Sequence, residues 1–211
     1  MSGSLVNLKK IARMEYLTFK NALRLHRDSI LLFKARRFPS AFFLSVLSQE
    51  ELGKATLLSD FVYHSEVDGR MEPQWEHEWL DAIYSHKIKR NVFTRNAFVR
   101  LPKSFLTTLA DGTLEQLKQS AAYVGFVRRG SIHTKLSLPS RISRQQARKQ
   151  ITIVNDYLLV LATGVRKEVY SWDNPDVERL LRSRLVDSLS ALWTARSKSA
   201  RVQLRRISTV K

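Results

Sequence analysis

Residues 38–60 read FPSAFFLSVLSQEELGKATLLSD. Pro39 stands at the opening of a predicted helix, where its preset φ helps and its missing N–H costs nothing. Apolar or small side chains then fall on nearly every side: Ala41, Phe42, Phe43, Leu44, Val46, Leu47, Leu52, Ala55, Leu57 and Leu58. A helix that is apolar all round is a buried helix. Glu50, Glu51 and Lys54 interrupt it in the middle. Glu50 and Lys54 are spaced i,i+4, and Glu51 and Lys54 i,i+3, so either pair can meet on one side. Buried charge is tolerated only when it is paired and hydrogen-bonded. This stretch is therefore predicted to be a central rod carrying a polar cluster. The cluster is either a structural salt bridge that fixes helix packing or a working site.

On the N-terminal side, Ser4 is predicted to cap a long helix running to about Arg36, with Leu5, Leu8, Ile11, Ala12, Leu23, Ile30 and Phe33 at helical spacing. Asn21, Arg24 and Asp28 fall together on another side of it. The short turn Arg36-Arg37-Phe38-Pro39 makes these first two helices antiparallel neighbours. On the C-terminal side, Asp68-Gly69 marks a polar loop, and Pro73 opens a third helix to about Val99. Its apolar stripe is Trp75, Trp79, Ala82, Ile83, His86, Arg90, Phe93 and Ala97, which puts His86 on the inner side. Two short helices follow at 103–110 and 113–122, split by Asp111-Gly112. Residues 123–139 read as irregular, with hairpin character in part. Ser143 and Gln146 form a capping box for a long helix to about Tyr170. Asn174-Pro175 begins a last helix to about Lys198, and the final dozen residues read as a disordered basic tail.

The fold class that emerges is all-α: an antiparallel four-helix bundle with an additional C-terminal helix and a basic tail. Residues 1–170 are predicted to form the bundle. Residues 171–211 are predicted to be a C-terminal helix and tail, packed on the same domain or on a dimer partner.

The chain has 211 residues, 44% of them hydrophobic, enough for a proper core. There is no cysteine, hence no disulfide framework and no thiolate zinc site. No cofactor and no metal are expected. The opening MSGSLVNLKKIAR has no long apolar core after its charges, so no secretory signal is expected. No apolar run is long enough to span a bilayer, and a cytoplasmic location is expected. Charge is the dominant compositional feature. Thirty-six Lys and Arg against 19 Asp and Glu give a net charge of +17, the footprint of a polyanion binder. RNA is the first candidate and DNA the second; the alternatives are an anionic membrane, an acidic protein partner or a basic but inert surface. Arginines concentrate after residue 125, and Arg128, Arg129, Arg141, Arg144 and Arg148 are the candidate RNA-binding set.

The run NA..L..D (Asn21, Ala22, Leu25, Asp28), followed by SAFFLSVLSQEELGKA (Ser40 to Ala55), resembles the AbiV family of bacterial abortive-infection, phage-defence proteins. The likeness spans about residues 15 to 60 and continues more loosely at His86 to Lys89 and Ala121 to Phe126. AbiV proteins are in turn similar to the HEPN superfamily of helical bundles, many of which are RNA-cleaving toxins. The resemblance implies a HEPN-like homodimer that acts on RNA or the ribosome, and a phage-encoded protein that switches it on.

Metal-free RNA cleavage needs a base for the 2′-hydroxyl proton, a cation for the charged phosphorus centre and an acid for the leaving oxygen. Glu50, Glu51 and Lys54 of the central helix, with His86 and Lys89 of the third, are the first candidate catalytic set. Many HEPN ribonucleases share an Arg, four to six residues, then His on a late helix. The late match here is Arg128 to His133, which reads as loop and is the second choice. The competing functions are a non-catalytic RNA- or ribosome-binding module, and an interaction module docking an acidic phage protein.

Overall fold

The computed structural model describes residues 7–67, 73–95, 101–129 and 132–209, with backbone alone at 66–67, 73–76, 95, 125–129 and 132–137. Ser4 and Ala97 lie outside the described residues, as does the side chain of Trp75. The fold is the all-α bundle predicted, with one small hairpin attached.

The first helix, α1 (Leu8–Lys34), is capped by Asn7, whose side-chain oxygen accepts from the Lys9 backbone N–H at 2.9 Å. It ends at Ala35 in a Schellman turn: the Arg36 N–H donates to the Phe33 carbonyl and the Arg37 N–H to that of Leu32. Arg36 occupies the left-handed position of that turn at φ 60°, where glycine is the usual residue. The central helix, α2 (Phe38–Val67), then returns antiparallel to α1. Phe33 meets Phe38 by the turn, Ser48 donates to the Ala22 carbonyl midway, and Ile11 packs with Phe61 at the far end.

The third rod is broken. It consists of α3 (Pro73–Tyr84) and α4 (His86–Arg95), with Ser85 between them. Ser85 Oγ accepts from the Ile88 N–H at 3.4 Å, so the serine starts a new helix where hydrophobic periodicity alone reads one continuous helix. Trp79 packs on Phe61 along α3, and α4 then crosses α2 at Gly53. Helices α5 (Lys103–Ala110) and α6 (Thr113–Ala122) flank a turn at Gly112, whose φ is 76°. The antiparallel hairpin β1 (Gly125–Arg129) and β2 (Ile132–Ser137) follows. Helix α7 (Arg144–Arg166) opens on the Ser143–Gln146 capping box. It stops four residues earlier than predicted, in a second Schellman turn with Glu168 at φ 57°.

The C-terminal region differs most from expectation. In place of one helix and a tail there are three helices: α8 (Pro175–Arg182), α9 (Arg184–Leu192) and α10 (Lys198–Ser208). Ser183 and Ser197 cap the second and third, as Ser85 caps α4. The stretch read as a disordered tail is α10, which buries Ala200 and Ile207.

The core lies between α1, α2, α4 and α7, around Phe19, Leu52, Phe93, Tyr157, Leu158 and Leu161. Besides Glu50, described below, the carboxylates of Glu15 and Asp156 and the imidazole of His26 are buried in it. Glu15 accepts from Trp172 Nε1 and from Asn174 Nδ2, and burial raises its pKa. Asp156 accepts from the Ser197 N–H at 2.9 Å and is likewise raised by burial. His26 places Nε2 3.0 Å from Asn155 Oδ1, and complete burial, with the Arg196 charge adding to it, depresses its pKa to about 4.

Candidate functional site

The polar cluster of the central helix does not pair internally as its spacing suggests. Glu50 is 2% exposed and reaches away from α2 in two directions. Lys118 Nζ of α6 donates to its Oε1 at 2.9 Å, and His86 Nδ1 lies 2.7 Å from its Oε2. Glu50 thus takes its cation from a helix distant in sequence rather than from Lys54 one turn along. Lys54 sits over the Tyr84 ring, 5.6 Å from its centroid.

His86 is the first residue of α4, placed there by the break at Ser85. Its side chain is 57% exposed, which corrects the prediction that it lies on the inner side of one continuous helix. The imidazole is anchored through Nδ1. With Nδ1–H donating to the carboxylate, Nε2 is the lone-pair nitrogen of a ring that is more than half exposed.

A second carboxylate extends the network. Glu115 accepts from Arg90 Nη1 at 2.6 Å and pairs with Lys118 at 3.0 Å. Burial works to raise the Glu115 carboxyl, but the hydrogen bond and charge of Lys118, with Arg90, outweigh it and hold the pKa below its usual value. Lys89 is buried against the same charges. Desolvation lowers its pKa, Glu50 and Glu51 oppose the shift, and Lys54 and Lys118 add to it.

Glu51 faces α1. Its Oε2 accepts from Asn21 Nδ2 at 3.2 Å, Arg24 donates to Asn21 Oδ1, and Arg24 pairs with Asp28 at 3.0 Å. The two adjacent glutamates therefore head two chains of polar contacts, one buried through α4 and α6, one half-exposed along α1.

Gly53 makes the crossing possible. A Cβ there would stand 1.9 Å from the Lys89 carbonyl oxygen, so only glycine lets α4 approach closely enough to bring His86 to Glu50.

Of the first candidate set, Glu50, His86 and Lys89 are brought together, Lys54 lies beside them, and Glu51 turns toward α1. Lys118, Glu115 and Arg90 were missed as members. Glu115 and Lys118, spaced i,i+3 on a short helix, look like an ordinary surface pair in sequence. Arg128 and His133 lie on the hairpin rather than in a loop, as backbone partners across its two strands; their side chains and that of Arg129 lie outside the described residues. Arg141, Arg144 and Arg148 are exposed. Several other late arginines are engaged within the fold: Arg179 with Asp176, Arg182 with Glu178, and Arg196 with the Ser190 and Ala195 carbonyls.

Among the described residues, no group of three or more histidine and carboxylate side chains is arranged to hold a metal ion, and no helix is long and apolar enough to cross a membrane.

A family model described as AbiV, of the HEPN type, matches residues 10–159. The match spans α1 through most of α7 and includes every residue of the two polar chains. No curated protein and no solved structure matches the chain.

Proposed function

This chain belongs to the AbiV family of HEPN-type abortive-infection proteins, and from that premise we propose that it is a phage-defence toxin that cleaves RNA without a metal at the Glu50–His86 dyad. The single observation carrying the reading is the anchored imidazole: a buried carboxylate holds Nδ1 at 2.7 Å while the ring remains more than half exposed. A carboxylate in that position fixes the tautomer and stabilises the imidazolium that forms when Nε2 takes a proton.

In the proposed step, His86 Nε2 accepts the 2′-hydroxyl proton and the 2′-oxygen bonds to phosphorus. The bond from phosphorus to the 5′-oxygen breaks, leaving a 2′,3′-cyclic phosphate. Lys89, whose depressed pKa eases proton release, protonates the departing oxygen. Four cations (Lys54, Lys89, Arg90, Lys118) outnumber three carboxylates (Glu50, Glu51, Glu115) around the dyad. That surplus favours an approaching phosphate. The protein would work in the cytoplasm as a homodimer, silent until a phage-encoded protein activates it.

The test is purified protein incubated with total RNA, alone and with candidate phage activators, alongside His86→Ala and Glu50→Gln. Cleavage lost in both variants supports the reading. No cleavage and no translation arrest under either condition overturns it.

A second reading rests on the saturation of Glu50, which accepts from both Lys118 and His86 in a nearly dry site. On that reading the network only fixes packing, and the protein binds RNA or the ribosome without cutting. It predicts salt-sensitive binding with no product. Docking to an acidic phage protein would instead give a complex that RNA cannot compete away.

A further inference from the structure

The end of the bundle away from the dyad holds a cleft of about 620 Å³ lined by Phe33, Lys34, Arg36, Phe38, Arg144 and Trp193. It lies roughly 18 Å along α2 from Glu50, at 1.5 Å per helical residue. Three rings and three cations line it, and no carboxylate does among the described residues. Phe33 packs against Phe38 at 5.3 Å and edge-on to Trp193 at 4.9 Å, and both phenylalanines stay only partly buried. Lys34, Arg36 and Arg144 are exposed beside them.

Two local features run against the chain's own stability there. Arg36 holds the left-handed position of a Schellman turn, where glycine is less strained. Arg144 is the first residue of α7, whose first turn contains no acidic residue, so its charge opposes the helix dipole. Unfavourable local choices grouped in one cleft are what a binding site exhibits when its residues are kept for a ligand.

We propose that this cleft binds a nucleoside phosphate, its base against the Phe33–Phe38–Trp193 rings and its phosphate on Arg36 and Arg144. Aromatic surface beside guanidinium groups recognises a flat base joined to an anion, whereas phosphate alone would make no use of the rings. The volume is that of a small-molecule site. The ligand is either a free mononucleotide or one residue of an RNA strand, and the proposal stands whether or not the Glu50–His86 dyad cleaves RNA.

Calorimetric titration of the full chain with AMP, with inorganic phosphate and with a single-stranded RNA decamer tests it. AMP binding at least tenfold tighter than phosphate, weakened at least tenfold by Arg36→Gly, Arg144→Gln and Phe38→Leu, identifies a mononucleotide site. Decamer binding alone, with the same losses, identifies a strand site. Arg36→Gly also raises the melting temperature, so lost affinity there is not unfolding. Glu168→Gly, the same change at the end of α7, raises it without altering affinity. The proposal is overturned if neither AMP nor the decamer binds, if phosphate binds as tightly as AMP, or if the three variants lower affinity less than tenfold.

Discussion

Gly53 and Lys89 meet backbone to backbone: the space a side chain at Gly53 would need is filled by the Lys89 carbonyl. In an open helix, glycine to alanine stabilises by about 0.5–1 kcal/mol. Here the sign reverses. Gly53→Ala must push α4 off α2, and a loss of about 2–3 kcal/mol is expected. Urea unfolding measures it. A neutral or stabilised variant would show that the crossing is looser than described.

Glu50 has two partners of unequal weight. Lys118 is 8% exposed and His86 57%. Lys118→Met strands a buried carboxylate and should cost about 3–5 kcal/mol, much of it recovered by adding Glu50→Gln. His86→Ala should cost only about 1 kcal/mol, because water can replace the imidazole. A double-mutant cycle on melting temperature checks the asymmetry. Under the proposed function, His86→Ala removes activity from a protein that is still folded.

Stability should fall on mild acidification, and His26 sets the direction. Its folded pKa, about 4, lies below its ordinary 6.5. Its contribution is therefore present above pH 6.5 and is lost as pH falls toward 4. Roughly 2 kcal/mol should disappear between pH 6.5 and 5. Glu15 and Asp156, both raised, act in the opposite sense, since folded chains take up those protons first. Unfolding curves at several pH values, for the native chain and His26→Gln, isolate the histidine: the variant should lose the acid-side slope.

Ile207 is 4% exposed on α10. Ile207→Ala should cost about 2–4 kcal/mol by cavity formation, whereas a disordered tail would tolerate it without change. Thermal denaturation distinguishes the two.

The buried rod, the Schellman-side turn and the capping box at Ser143 were legible because each is written in local pattern. The breaks at Ser85, Ser183 and Ser197 were not. Apolar spacing continues through Ser85 and Ser183, and a serine becomes a helix cap only when packing favours a change of direction. That is why His86 was expected on the wrong face. Adjacent Glu50 and Glu51 announced a polar cluster but not its partners. The spacing to Lys54 offered a local solution, while Lys118 lies 68 residues away on a helix whose position depends on the whole fold. Ile207 in α10 was hidden for a related reason: its neighbours Arg205 and Arg206 dominate the composition, and one buried isoleucine carries little periodic signal.

Trp172, Asn174 and Ser197 solvate the carboxylates of Glu15 and Asp156, which sit on α1 and α7. During synthesis, α1 leaves the ribosome with an acid it cannot yet bury, and α7 follows with another. Their partners lie between Trp172 and Ser197, so neither acid can make its native hydrogen bonds until late in translation. A chain made in that order has no complete interior while much of it is still attached to the ribosome.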